Sequence, residues 1–168
     1  RIFTPEIWVR VPVTLLLESK QKDNAIMNNN AKRKGNIGEA QALARLVSLG
    51  NPVATPFGDN ERYDLVVESL NGNLLKAQIK YSSELSESGA LSFYLRSSKN
   101  HTSHKGTYGY KNQVDIFLLY HTFTNEVYII ESKIVNNQTR INLRISPTKN
   151  KQNKKVLFAK DFILNKAI

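Results

Sequence analysis

The chain has 168 residues, no cysteine, and 24 lysines and arginines against 14 acidic residues, a formal net charge of +10. That length fits one compact domain with a sizeable core, and the lack of cysteine excludes disulfides and any cysteine-based zinc site. A hydrophobic content of 40% is too rich for a disordered chain, no apolar run reaches the ~20 residues of a membrane span, and the basic balance points to a polyanionic partner, nucleic acid or an acidic membrane surface.

The basicity lies downstream of the only methionine, Met27, where 20 basic residues face 11 acidic ones. Residues 1–26 therefore read as an upstream extension, and residues 27–168 as the domain proper. Glu6, Glu18 and Asp23 break the acid-poor pattern of a transit peptide. From Lys34 to Leu49 the apolar positions Ile37, Ala40, Leu43, Ala44 and Val47 recur at three- and four-residue spacing. They predict an amphipathic helix with that stripe as its core face, stopped by Gly50. Glu39 then falls on the flank of the stripe, beside Leu43 and Leu46.

The stretch NPVATPFGDN reads as a short strand and a loop, and Tyr63–Glu68 as a strand by its Leu-Val-Val content. Asn71-Gly72-Asn73 is a hairpin turn signal. Leu74–Tyr81 follows with Leu75, Ala77 and Ile79 on one face and Lys76, Gln78 and Lys80 on the other. Ala90–Arg96 is a further strand and His101–Lys111 a polar loop. Val114–Tyr120 and Glu126–Glu131 pair as a second hairpin, and Thr139–Ile145 alternates again. The basic run PTKNKQNKK leads into VLFAKDFIL, apolar but without a clear period. One helix leading into a run of strands predicts a single α/β domain with a mixed β-sheet.

In an antiparallel pair the start of one strand lies beside the end of the next. Asp64 and Lys80 are therefore neighbours, and a period of two sends Gln78 and Lys80 to the same face. Asp64, with Glu39 arriving from the helix, offers hard oxygen ligands of the kind Mg²⁺ prefers. Gln78 adds an uncharged amide oxygen, and Lys80 a cation able to offset charge building on a phosphorus. An acid at a strand start also serves as a turn residue, and a Gln-x-Lys face as a solvated one; spacing alone leaves both readings open.

The acid at a strand start, the Gln-x-Lys on the next strand and the glutamate on a preceding helix resemble the PD-(D/E)XK nuclease superfamily. KRKGNIGEAQALARLVSLG, PFGDNERYDLVVES, KAQIKYSS and the later order SGALSFYLRSS, YKNQVDIFLLY, EVYIIE resemble in particular its group I intron homing endonucleases. The resemblance implies a restriction-endonuclease-like core with helices flanking the sheet. Glu39, Asp64 and Gln78 would be metal ligands and Lys80 the motif lysine. The activity implied is site-specific cleavage of double-stranded DNA with Mg²⁺, or Mn²⁺ in its place, by a homo-oligomer, away from membranes, in the compartment that holds the host DNA. Gln78 stands where the wider superfamily usually carries an acid. A junction-resolving or restriction-like nuclease and a non-catalytic nucleic-acid-binding module are the alternatives.

Candidate DNA contacts are Arg62 beside Asp64, the ribbon Arg96, Ser97, Ser98 and Lys99 continuing through Lys105 to Lys111, and the alternating Arg140, Asn142 and Arg144. Lys149, Lys151, Lys154 and Lys155 suit phosphate attraction rather than base readout. His101 and His104 lack the partners of a zinc site. Asp115 reads as structural, and Phe93, Tyr94, Phe117 and Tyr128 as core.

Overall fold

The computed structural model describes residues 31–58, 60–87, 89–99, 106–136, 138–147 and 156–168. Residues 1–26, Met27, His101, His104, Lys105, Lys149, Lys151, Lys154 and Lys155 lie outside the described residues. Contacts divide the chain into Arg1–Lys34 and Gly35–Ile168, and the second unit carries every described strand.

Helix α1 (Ala31–Ser48) is followed by β1 (Val53–Ala54), β2 (Leu65–Glu68) and β3 (Leu74–Ser82). Then come β4 (Ala90–Tyr94), β5 (Ser97–Lys99), β6 (Gly106–Tyr108), β7 (Ile116–His121) and β8 (Glu126–Glu131). The short helix α2 (Ser132–Val135), β9 (Arg140–Arg144) and a 3₁₀ turn at Ala159–Phe162 complete the order. β1, β2, β3, β7 and β8 form one five-stranded sheet in that order. β3 pairs antiparallel with β2 and parallel with β7, so the sheet is mixed, as the sequence suggests. The Asn71-Gly72-Asn73 turn joins β2 to β3, with Gly72 at φ 77°, a backbone region that favours glycine because it has no Cβ.

All six residues of β7 are buried, because both faces of the sheet are covered. Ile116, Leu118 and Tyr120 join Ala42 and Leu46 of α1, with Leu65, Val67, Ala77 and Ile79, in one apolar cluster. Phe117 and Leu119 belong to the other, with Leu91 and Phe93 of β4, Ile141 and Leu143 of β9, and Tyr110. β4 and β9 pair as a separate two-stranded ribbon over that second face.

Three expectations change. The helix does not bury the stripe Ile37, Ala40, Leu43, Ala44 and Val47: Gly38, Ala42 and Leu46 are its buried residues, Ile37 only packs at the margin, and Val47 is 60% exposed. The reason is close approach. A Cβ on Gly38 would stand 3.2 Å from Cβ of Tyr81, so at that contact a glycine faces the sheet, while Leu46 two turns on fills the core. The segment expected as a polar loop contains a strand, β6, which pairs with β5 as a ribbon. Tyr94 is not core but 41% exposed, whereas Phe93, Phe117 and Tyr128 are buried.

Candidate active site

The N–H of Asp64 donates to the carbonyl of Ala77 at 2.9 Å, which extends the β2–β3 ladder by one residue and sets Asp64 across from Gln78. The Gln78 Nε2 donates to Asp64 Oδ2 at 2.5 Å, and the Ile79 N–H donates to the same oxygen at 2.6 Å. Oδ1 of Asp64 has no hydrogen-bond partner among the described residues. One oxygen fixes the carboxylate and the other is left for a ligand. Gln78 is itself buried, and its amide also reaches the Ile79 carbonyl at 3.3 Å.

This geometry gives the amide a physical rationale. Two carboxylates at such a separation could not both ionise in the absence of a cation. An amide donor turns that repulsion into an attraction and holds Asp64 in place.

Burial pushes the Asp64 carboxyl above its ordinary value; the Ile79 N–H, the Lys80 charge and the Gln78 amide pull it back without cancelling the rise. The Glu39 carboxyl is also raised, first by partial burial and then by the charge of Asp64. Glu39 therefore shares the neighbourhood of Asp64. Its neighbour Gly38 makes this possible by letting α1 lie close on Ile79 and Tyr81 of β3.

Lys80 follows two residues after Gln78 on the same face. Its Nζ donates to the hydroxyl of Tyr110 at 2.7 Å and lies 4.8 Å from the Tyr110 ring centroid. On the same ring rests Arg62, whose Cζ is 4.7 Å from the centroid. Arg62 also donates from Nε to Gln113 Oε1 and from Nη2 to the Gly109 carbonyl, both at 2.9 Å. The structure thus puts Gln78 in contact with Asp64, sets Lys80 two residues on, leaves exposed Glu39 on the facing helix within electrostatic reach of Asp64, and ties Arg62 to Tyr110 beside Lys80.

No group of three His, Cys, Asp or Glu side chains suited to a metal occurs among the described residues. The side chains of the candidate site carry two carboxylates and one amide, with no histidine or cysteine among them. An all-oxygen set with two acids suits a hard divalent cation that keeps several waters, as Mg²⁺ does. It lacks the nitrogen and sulfur donors typical of zinc.

The remaining candidate residues lie on other elements. Arg96 and Arg140 both stack on exposed Tyr94, with Cζ 5.3 and 5.0 Å from its centroid. Arg140 also donates to Ser92 Oγ at 2.8 Å and pairs with Glu84 at 3.5 Å. The side chain of Asn142 accepts from the Ser92 hydroxyl at 2.5 Å. Arg144 donates to the Ser146 carbonyl at 3.1 Å. Ser97, Ser98 and Lys99 form β5, and Lys111 is exposed beside Tyr110 on the rim of a cavity of about 350 Å³. Asp115 caps the sheet: its carboxylate accepts the Lys76 N–H at 2.8 Å.

Sequence reasoning missed Tyr110 and Gln113. Their one signal was position, since YKNQVD closes the loop that feeds the interior strand β7.

The model of the PD-(D/E)XK endonuclease family matches residues 29–165. Among solved structures, that of a bacterial homing endonuclease, I-Ssp6803I, is similar with a TM-score of 0.63 and 24% sequence identity, over 80% of this chain and 89% of that one. At that identity the likeness shows a shared fold. No curated protein matches the chain.

Proposed function

The chain belongs to the PD-(D/E)XK endonuclease family, and from that premise we propose that it hydrolyses phosphodiester bonds of double-stranded DNA at a chosen sequence, using Mg²⁺ or Mn²⁺. Glu39, Asp64 and Gln78 hold the cation and Lys80 serves the phosphate. The observation that carries this reading is the divided Asp64 carboxylate: Oδ2 is bound by Gln78 and Ile79 while Oδ1 stays open. Asp115, structural at its own strand start, also leaves one oxygen unbonded; what sets Asp64 apart is its company, the Gln78 amide in contact and the Lys80 and Glu39 charges within electrostatic reach.

A divalent cation held here would supply Lewis acidity toward a phosphate oxygen and would lower the pKa of a bound water toward neutrality. The protein's own groups do the rest. Asp64 is preorganised by its two hydrogen bonds, so little rearrangement accompanies loading. Glu39 and Asp64 hold negative charge in a partly desolvated site, where pairing with a cation is worth more than in water. The Lys80 ammonium has N–H groups beyond the one given to Tyr110, and these stabilise charge on the phosphoryl oxygens in the transition state.

The net charge of +10 fits a polyphosphate substrate, and the similarity to a bacterial homing endonuclease favours the intron-homing type of site-specific cleavage. A double-strand cut needs two active sites, so the working form is a homo-oligomer. No helix among the described residues is long and apolar enough to cross a membrane.

The test is nicking of plasmid DNA carrying the intron-free host gene, with and without Mg²⁺. Cleavage should require the cation and disappear in Asp64→Ala. Mg²⁺-dependent cleavage that survives Asp64→Ala refutes the site. Activity confined to branched DNA, indifferent to sequence, turns the reading to a junction-resolving nuclease. Salt-sensitive binding with no cleavage by the unaltered protein leaves a binding module.

A further inference from the structure

We propose that Tyr110 is a positioning residue for Lys80, and that Arg62 acts by clamping Tyr110 rather than by touching DNA; the proposal rests on the reading of Lys80 given above. A lysine side chain has four rotatable carbons and a point charge, and left in solvent it samples many positions. Here three contacts converge on one ring. The Lys80 Nζ donates to the Tyr110 hydroxyl at 2.7 Å and sits 4.8 Å from the ring centroid. Tyr110 is 7% exposed and meets Phe117 of β7 edge-on, with centroids 5.6 Å apart. The ring therefore has a fixed floor.

Arg62 closes the arrangement. Its guanidinium lies 4.7 Å from the Tyr110 centroid, and two of its nitrogens are committed, Nε to Gln113 and Nη2 to the Gly109 carbonyl. These bonds grip the chain on both sides of Tyr110. A guanidinium spent in this way has fewer donors for a phosphate. Arg62 is two residues from Asp64, so one short stretch of chain both supplies the acid and pins the residue that holds the lysine. Tyr110 also follows β6, hence the ribbon of β5 and β6 is tied covalently to the group that orients Lys80.

The geometry also says what each loss does. Tyr110→Phe keeps the buried ring and removes only the acceptor. Lys80 then loses one anchored hydrogen bond, and its transition-state contact loosens. The expected result is a drop of about tenfold in kcat on supercoiled plasmid with Mg²⁺, the size of one well-placed hydrogen bond. Melting temperature and DNA affinity measured with Ca²⁺ in place of Mg²⁺ should stay at parent values. Arg62→Ala should lower kcat and leave the salt slope of DNA binding unchanged.

A readout without substrate is the Nζ resonance of ¹⁵N-lysine protein, identified by its loss in Lys80→Ala. It should be sharp and shifted in the parent and collapse toward the free-lysine position in Tyr110→Phe. Parent-level cleavage and an unmoved Nζ resonance in Tyr110→Phe overturn the positioning role. An Arg62→Ala variant with parent kcat and a salt slope reduced by about 1 makes Arg62 a phosphate contact and overturns the clamp. Cleavage that survives Lys80→Ala sinks the reading of the site itself, a result separate from both.

Discussion

Gln78→Glu restores the acid usual at this position in the family pattern and tests why an amide stands there. In the native site the Gln78 Nε2 lies 2.5 Å from Asp64 Oδ2. A carboxylate in its place loses the donor and faces a like charge. Two unit charges 4 Å apart repel by about 4 kcal/mol at an effective dielectric of about 20, so the pair must open or retain a proton. Side-chain rotation and solvent at the half-open site offset part of this, leaving an expected loss of about 2 kcal/mol, or a melting temperature lower by roughly 4–8 °C for a domain of this size.

The assay is thermal unfolding in EDTA at pH 8 and pH 5, repeated with Mg²⁺. In EDTA at pH 8 the variant should melt well below the parent. At pH 5 the gap should narrow, because a close carboxyl pair shares a proton at that pH. With Mg²⁺ the gap should close, since the additional charge binds the cation more tightly and stabilises by mass action. Cleavage should persist. A variant as stable as the parent in EDTA at pH 8, or a loss indifferent to both pH and Mg²⁺, would refute the account of Gln78 as the group that holds Asp64 in the cation's absence.

Three other perturbations follow from the same site and its supports. Folding raises the carboxyl of Asp64, so its contribution to stability is full below about pH 4 and is lost as pH rises through the folded value; Asp64→Asn should abolish cleavage yet melt a few degrees higher at pH 7.5, with the gain gone below pH 4. Gly38→Leu drives a side chain into Tyr81 and Ile79, and overpacking of about 1–3 kcal/mol should lower the melting temperature and reduce cleavage more than tenfold by displacing Glu39; unchanged cleavage would count against the close helix approach as the means of placing Glu39. His121 is fully buried, its Nε2 facing the Glu84 carbonyl and its Nδ1 accepting the Phe123 N–H, and burial lowers its pKa; its neutral form stabilises the fold above about pH 6.5, so stability should fall as pH drops through the lowered value, and His121→Gln should flatten that decline between pH 7.5 and 5.

The sequence by itself determined the chemistry on offer and its local order. The alternation of Leu75, Ala77 and Ile79 against Gln78 and Lys80, with the Asn-Gly-Asn turn, sets the β2–β3 register, because a strand slipped by one residue would turn its apolar face outward. That register alone makes Asp64 and Gln78 partners, and it is written in neighbouring residues. The rest depended on contacts that no local pattern encodes. Apolar spacing nominated Leu43 and Val47 for the core, yet Gly38, Ala42 and Leu46 are the buried positions, because which arc of the helix meets the sheet, and how closely it does so at Gly38, is a tertiary quantity. Tyr110 lies 30 positions from Lys80, and Arg62 reaches Gln113 across 51. Such pairs exist only once β7 has inserted beside β3, and the parallel pairing of those strands is what decides where the lysine's ammonium is held.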